Sequence, residues 1–269
     1  MNKFNKGIID ASFLAYRTLF TSSDVCFYID DDAINTTIIN GVLLDLIRIL
    51  KKYPYIQEWV ICYDSRPTNR LNHDDSYKKN RALFSERKTA IKFRKQLQIL
   101  QEMLQFSKLS QIQIDGFESD DLIASVSKND FCLVIANDKD LYQLLDRIVI
   151  DTLKEVKDKE WFVKKYEIEP CLWAYVQAVV GDSVDNIKGI KGVGIVKGLK
   201  LIRQYGKGIV DLYPEIIEYL KLTLLDESID IDNYMIKGQN NLHGFLQYVL
   251  SFQLFNVIYD NSNLFCKGK

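Results

Sequence analysis

Short apolar runs that each end beside an aspartate constrain the fold of this chain more than any other feature. The runs and their aspartates are residues 7–9 with Asp10, residues 59–63 with Asp64, residues 131–136 with Asp138, and residues 147–150 with Asp151. Between them, residues 35–52 and 118–128 carry apolar side chains at helical spacing. Continuous apolar strands that alternate with helices predict an α/β fold, with a mostly parallel sheet flanked by helices.

The aspartates at the strand ends predict an acidic cluster. Carboxyl ends of parallel strands share one edge of a sheet, and ligands bind there. Asp140 follows Asp138 by two residues, Glu118 to Asp121 begin a predicted helix, and Asp182 and Asp185 have the spacing of one face of a helical turn. The candidate ligands are Asp10, Asp64, Glu118, Asp120, Asp121, Asp138, Asp140, Asp182 and Asp185.

Such a cluster would need cations. Two carboxylates ~4 Å apart repel by roughly 4 kcal/mol at an effective dielectric near 20. Oxygen ligands without His or Cys favour Mg²⁺, or Mn²⁺ in its place, over zinc. Two such ions can hydrolyse a phosphodiester bond. The alternative is that these acids only form turns and cap helices. Their shared edge favours the metal site.

Basic residues are concentrated in two segments although the net charge is −1. Residues 78–95 hold eight basic residues and one acid, and residues 187–210 hold six basic residues and no acid. These runs predict contacts with nucleic acid. Tyr77, Phe84 and Phe93 lie in or beside the first run, which suits stacking along a single strand. A solvated helix face is the alternative interpretation of that run.

A glycine-rich segment from 181 to 194 predicts a tight turn between two short helices. Gly192 and Gly194 would let backbone N–H groups approach a phosphate or a cation. Lys191, Lys197 and Lys200 would add phosphate contacts beside the turn.

Together these motifs resemble the flap endonuclease and 5′→3′ exonuclease superfamily, most closely its stand-alone bacteriophage members. The resemblance covers roughly residues 5–205 and rests on the segments 9–12, 63–64, 77–81, 118–121, 137–141 and 181–194, in this order.

The resemblance implies a PIN-like sheet, a helical arch and a helix–hairpin–helix element. It implies one metal at Asp10, Asp64, Glu118 and Asp120, and a second near Asp121, Asp138, Asp140, Asp182 and Asp185. Lys78 and Arg81 would engage the scissile phosphate as catalytic residues at the base of the arch. The implied nucleic-acid contacts are Tyr16, which would stack on the terminal base, with Tyr77, Lys79, Gly189, Lys191, Gly192, Gly194 and Lys197. The hairpin would grip duplex DNA and could hold K⁺.

The expected organisation is a nuclease core over residues 1–180, with the arch inserted at about 66–117, followed by a hairpin and helical region over 181–269. We expect a monomer that binds branched or 5′-ended DNA. Residues 210–269 could either pack against the hairpin module or contact a replication protein. Five scattered cysteines without a CxxC pair favour a reducing cytoplasm. Neither a signal peptide nor an apolar run of ~20 residues is evident, so no membrane contact is expected.

The expected activity is hydrolysis near 5′ ends, flaps or junctions of DNA, and RNA–DNA hybrids could also be substrates. A branched-DNA binding protein without catalysis is one alternative. A PIN-like ribonuclease is another, and the glycine hairpin, which suits duplex DNA, counts against it.

Overall fold

A six-stranded sheet forms the centre of the protein. The structure, a computed structural model, describes residues 4–21, 26–29, 32–79 and 88–248, so the predicted contacts Arg81 and Phe84 lie outside the described residues. The sheet strands are β1 (Lys6–Asp10), β4 (Trp59–Cys62), β5 (Ser110–Ile112), β6 (Cys132–Ile135), β7 (Ile148–Asp151) and β8 (Val156–Lys157). Strands β2 (Cys26–Ile29) and β3 (Asp32–Asn35) form a separate antiparallel pair.

Helices surround this sheet. They are α1 (Ala11–Thr21), α2 (Thr37–Lys52), α3 (Thr68–His73), α4 (Lys88–Leu104), α5 (Ser119–Val126), α6 (Lys159–Tyr166), α7 (Trp173–Val180), α8 (Ile195–Tyr205), α9 (Ile209–Leu212) and α10 (Ile216–Thr223). Short 3₁₀ turns cover Asp140–Leu144, Pro170–Leu172 and Gly206–Gly208. Residues 242–248 are also helical.

Both faces of the sheet are covered, as the apolar runs predict. Successive residues of one strand enter opposite cores: Ile8 packs with α5 and α7, while Ile9 packs with α1 and α2. Every residue of β4 and β6 is buried. Burial on both sides explains why these strands are continuous apolar runs without alternation.

The strand order β5-β4-β1-β6-β7-β8 fixes where the aspartates meet. Strands β5, β4, β1, β6 and β7 are parallel, and β8 is antiparallel to β7. From β1 the chain builds outward to β4 and β5, then crosses to β6 on the other side. The carboxyl ends of β1 and β6 therefore flank a topological switch point, which is where ligands bind in such sheets.

Two local predictions were wrong. The segment 66–117 was predicted as an insertion, but its residues Ser110–Ile112 form β5, which pairs with β4 inside the sheet. The pair Asp182 and Asp185 was predicted on a helical turn. Instead, residues 182 and 187 form a β-bridge that closes a tight turn. Asp182 Oδ1 accepts hydrogen bonds from the Val184 and Asp185 N–H groups, which stabilises a turn and competes with helix.

No helix among the described residues is both long and apolar enough to cross a bilayer.

Candidate active site

Asp10 and Asp64 lie at the carboxyl ends of neighbouring parallel strands. Asp10 ends β1, and its Oδ1 accepts the Phe13 N–H at 3.1 Å, so it also caps α1. Asp64 lies just beyond β4; its carboxylate accepts the Ser119 N–H at 2.9 Å and the Ser12 hydroxyl. Burial, and then the charge of Asp64, raise the pKa of Asp10 to about 8. The site therefore carries more negative charge than its surroundings stabilise.

A second group of acids converges beside them. One carboxylate oxygen from each of Asp120, Asp138 and Asp140 lies within 4.8 Å of the others. Burial, followed by the charges of Asp138 and Asp140, raises the pKa of Asp120 well above its ordinary value. Burial and then Asp138 raise the pKa of Asp140 to about 7. Three oxygens at this spacing, with no His or Cys among them, fit a hard divalent cation.

Glu118 joins the acids to three other side chains. Its Oε1 accepts from Lys78 Nζ, while its Oε2 accepts from Tyr77 Oη at 2.9 Å and from Arg70 Nη1 at 3.1 Å. Burial alone would raise the pKa of Glu118, but Lys78 and Arg70 outweigh burial and lower it. Lys78 Nζ also lies 3.6 Å from Asp185 Oδ2, so it bridges Glu118 and the turn at 182–187.

Tyr77 offers no accessible face for the predicted stacking on nucleic acid. Its side chain is only 3% exposed and packs with Leu222 and Ile187. The ring is buried because residues 76–78 are held against the 182–187 turn, through Lys78 N–H to Asp185 O at 3.0 Å and Asn186 Nδ2 to Ser76 O at 3.0 Å. The phenol supports Glu118 instead.

Asp121 is separate from the acids that converge in the site. Its Oδ2 accepts from Arg70 Nη1 at 2.5 Å, and its Oδ1 accepts from Arg70 Nη2 at 2.7 Å and from the Asp226 N–H at 2.9 Å. Its neighbour Asp120 interacts with Asp138 and Asp140 because successive residues on a helix point about 100° apart. Asp121, predicted as a metal ligand, is therefore paired with Arg70 and lies outside the converging acids.

The turn at 182–187 brings one of its two acids to the site. Asp185 is buried, and its charge acts on Asp140. The Asp182 carboxylate is directed to the backbone of its own turn.

A cleft of about 340 Å³ opens over the acids. It is lined by Asp10, Ser12, Phe13, Tyr16, Arg17, Phe20, Asp64, Lys78, Glu118, Ser119, Asp120, Asn137 and Asp138. Tyr16 is 51% exposed and stacks on Phe93 at 4.2 Å between ring centroids. Phe20, one helical turn further along α1, is 81% exposed. Phe93 itself is buried, so the predicted stacking platform becomes a support for Tyr16.

The glycine segment connects α7 to α8, as predicted, but its glycines differ in purpose. A Cβ on Gly189 would lie 2.4 Å from Gly181 N, so this glycine serves close packing within the turn. Gly192 and Gly194 have open space around them, as the predicted backbone contact requires. Lys191 and Lys197 are exposed beside them, and Lys79 is exposed near the cleft residue Lys78.

Sequence reasoning missed two side chains that hold acids in place and a third that holds a neutral residue of the cleft. Gln177 Nε2 donates to Asp140 Oδ1, and Arg70 holds Asp121 and Glu118. Lys157 Nζ donates to Oδ1 of Asn137, which lines the cleft, at 3.1 Å. Gln177 gave a signal, because it is a polar residue within the otherwise apolar helix α7. Arg70 and Lys157 stand in polar segments where nothing local distinguishes them.

Buried acids beside a lysine, at the switch point of a parallel sheet, form a site of the class that can hold divalent cations. Residues 6–167 match the family model of the 5′-3′ exonuclease, N-terminal resolvase-like domain. The chain therefore belongs to the 5′-3′ exonuclease family.

Individual relatives agree. The chain is 31% identical over 208 residues to the 5′-3′ exonuclease of Aquifex aeolicus, an alignment that covers 74% of this chain and 69% of that protein. It is 29% identical over 206 residues to the thermostable DNA polymerase I of Thermus thermophilus, and spans only 24% of that protein's length. The solved structure of the bacteriophage T5 D15 flap endonuclease with DNA and metal ions shares the fold, with a TM-score of 0.66, 22% identity and coverage of 93% of this chain and 99% of that one.

Proposed function

We propose that the protein is a structure-specific 5′ nuclease that uses two Mg²⁺ ions to hydrolyse phosphodiester bonds at 5′ ends, flaps and junctions of DNA. The observation that carries this proposal is the convergence of Asp120, Asp138 and Asp140 within 4.8 Å. Asp120 and Asp138 line one cleft together with Asp10 and Lys78.

The ligands divide into two groups. Asp10, Asp64, Glu118 and Asp120 would hold one ion, and Asp138, Asp140, Asp185 and Asp182 the other, with Asp182 the weakest member because its carboxylate stabilises its own turn. Bound ions of this kind activate a water molecule and stabilise the leaving oxygen. Mn²⁺ can replace Mg²⁺ at such oxygen-rich sites.

Lys78 would neutralise the scissile phosphate. Its ammonium group lies between the two ligand groups, near Glu118 and Asp185, and it lines the cleft. A cation fixed at this point stabilises charge that develops in the transition state without reorganisation. Arg81 is proposed as its partner from the motif alone.

DNA would be held on both sides of the acids. Tyr16 offers an exposed ring on which a base can stack at the mouth of the cleft. The open backbone at Gly192 and Gly194, with Lys191 and Lys197, suits the phosphates of the adjoining duplex. We place K⁺ at this hairpin as part of the proposal.

The remaining features of the proposal follow from the family. We expect a monomer that works in the cytoplasm during primer or flap removal and repair, with RNA–DNA hybrids as additional substrates. Residues 210–269 remain the proposed contact for a replication protein.

The test is cleavage of a labelled 5′-flap DNA with and without Mg²⁺, mapping the position of the cut. We expect Asp140→Asn and Asp185→Asn to lower the cleavage rate by roughly 10²–10³-fold or more, the scale of losing one preorganised charge-stabilising group. Both variants should retain DNA binding in EDTA.

Asp146→Asn is the matched control, since Asp146 is a partly exposed acid that pairs with Lys159 at 2.6 Å. It should cut like the wild type. Equal cutting by the wild type and both site variants in Mg²⁺ would refute the proposal, and preferential cutting of RNA of the same length would indicate a ribonuclease.

A further inference from the structure

Residues 222–227, which we call the strap, contact α3, α5 and the 3₁₀ turn at Asp140–Leu144, three elements near the candidate metal site. Arg70 Nε donates to Leu222 O at 3.0 Å, and Arg70 Nη2 donates to Leu224 O at 3.4 Å. The Asp226 N–H donates to Asp121 Oδ1 at 2.9 Å, and Ser125 Oγ donates to Asp226 O at 3.0 Å. The strap is thus fixed to α3 through Arg70 and to α5 through Asp121 and Ser125.

The strap also holds the 3₁₀ turn that carries Asp140. Gln143 Nε2 donates to Thr223 O at 3.1 Å and to Asp140 O at 2.8 Å, while Gln143 Oε1 accepts the Leu225 N–H at 3.2 Å. One short stretch of backbone therefore connects α5, the source of Glu118 and Asp120, to the turn that supplies Asp140.

Arg70 is the centre of this network. Its guanidinium is buried and forms a two-pronged pair with Asp121, at 2.5 and 2.7 Å, while Nη1 reaches Glu118 Oε2 at 3.1 Å. Arg70 is not among the side chains that line the cleft, so it does not touch a substrate there. A buried ion pair is weak evidence of stabilisation, because apolar side chains of similar volume often serve as well. The contact between Arg70 and Glu118 instead indicates that Arg70 orients this carboxylate.

We propose that Arg70 is a positioning residue: paired with Asp121 and fixed to the strap, it sets the orientation of Glu118 and the spacing of Glu118 and Asp120 from Asp140. Residues 222–227 then belong to the active site's supporting structure. The inference rests on the proposed function for its catalytic consequence, but the effect on metal binding can be measured without cleavage.

Arg70→Lys keeps the charge but removes the planar fork that holds Asp121 and Glu118 together. Loss of a residue that orients a metal ligand typically costs 10–100-fold in metal affinity or activity. We expect Arg70→Lys to weaken Mn²⁺ binding, measured by electron paramagnetic resonance of free Mn²⁺, about 10-fold or more. The Mg²⁺ concentration for half-maximal cleavage should rise similarly, while flap-DNA affinity in EDTA stays within about twofold.

Asp121→Asn removes the pair from its other side and keeps the assay informative if Arg70→Lys folds poorly. It should match Arg70→Lys in Mn²⁺ affinity, and the double variant should be no worse than the stronger single one, because the two residues act as a unit. Arg147→Lys is the control: Arg147 also binds the strap, at 2.9 Å to Glu227, and has no contact with Glu118 or Asp121. It should bind Mn²⁺ like the wild type.

The outcomes separate the two proposals. An inactive wild type that nevertheless binds Mn²⁺, with weaker binding in Arg70→Lys, would refute the nuclease proposal and support the positioning of ligands. Folded Arg70→Lys and Asp121→Asn variants with wild-type Mn²⁺ affinity and Mg²⁺ dependence would overturn the inference. So would variants that lose only thermal stability.

Discussion

The hydroxyl group of Tyr77 holds Glu118, a predicted metal ligand, and is not placed for stacking on DNA. It donates to Glu118 Oε2 at 2.9 Å from a buried ring. A hydrogen bond to a charged group contributes about 1.5–3 kcal/mol. We therefore expect Tyr77→Phe to lower the single-turnover cleavage rate about 10-fold or more and to leave DNA affinity unchanged. Tyr16→Ala should do the reverse, weakening binding. Wild-type cleavage by Tyr77→Phe would contradict this assignment.

The raised pKa values of Asp10 and Asp140 couple metal binding to pH. In the metal-free protein these groups hold protons up to about pH 8 and about pH 7. Because their folded pKa values lie above the unfolded value near 3.8, their contribution to stability is complete below about pH 4 and is lost as pH rises through about 7 to 8. A divalent cation needs the ionised carboxylates, so it must displace these protons.

We therefore expect the Mg²⁺ concentration for half-maximal cleavage to fall as pH rises from about 6 to about 8. The melting temperature in EDTA should fall over the same interval, because the folded protein loses stability as these groups ionise, and Mg²⁺ should restore stability most at the higher pH. Calorimetric titration in two buffers of different ionisation enthalpy would reveal the released protons. A half-saturating Mg²⁺ concentration independent of pH would contradict the shifts.

Adjacent acids show how far the sequence could define the site. The strand-end positions of Asp10, Asp64 and Asp138 predicted their shared edge because a parallel sheet aligns strand ends. The sequence could not separate Asp120 from Asp121, since which of the two faces the cleft depends on the orientation of α5. Tertiary packing positions Arg70, and its ion pair with Asp121 shows that Asp121 is the acid directed away from the cleft.

At the scale of elements, the hairpin contains two kinds of glycine. Gly189 has a φ of +63° and its missing Cβ leaves room for Gly181 N, whereas Gly192 has a φ of +78° with open space around it. Gly189→Ala should therefore destabilise the protein by about 1–3 kcal/mol from backbone strain, with the clash in addition. Gly192→Ala meets strain alone, about 1–2 kcal/mol.

Urea unfolding of both variants, with flap-DNA affinity measured beside it, tests this difference. Gly189→Ala should show the larger fall in the free energy of unfolding. For Gly192→Ala, the loss in binding free energy for flap DNA should exceed the loss in the free energy of unfolding. Equal stability losses would indicate that Gly189 is not closely packed in solution.

Strand β5 shows why some elements escape prediction. Ser110–Ile112 is three residues long and has no period that distinguishes it from a loop. It becomes a strand because β4 lies on one side and a C-terminal segment on the other, and both contacts are distant in the chain. The apolar runs of β1, β4 and β6 can be recognised as strands from the local sequence, while the strand conformation of β5 depends on its pairing partners.

At the scale of the whole molecule, the C-terminal segment closes one edge of the sheet. Gln111 and Ile236 exchange both backbone hydrogen bonds, each at 2.8 Å, and residues 239–241 continue along the end of α4. An uncovered edge strand is a template for pairing with other chains. This contact gives part of residues 210–269 a structural purpose.

Ile236→Pro removes the N–H that binds Gln111 O and should cost about 1–3 kcal/mol, the penalty for an unsatisfied buried acceptor. Increased aggregation near the melting temperature should accompany it. Ile236→Thr keeps the backbone bond and is the control, since this side chain is half exposed. Equal stability of the two variants would show that the edge contact contributes nothing.

The turn at 182–187 lies far along the chain from β1, yet Asp185 reaches Lys78, which lines the same cleft as Asp10. Synthesis delivers the N-terminal part first. On the proposed mechanism, a nascent polypeptide that has formed its central strands still lacks an acid, the anchor for Lys78 and the strap. On that mechanism, premature termination products that lack residues 182–227 would cut DNA at least roughly 10²–10³-fold more slowly than the full chain, the scale of losing one preorganised charge-stabilising group.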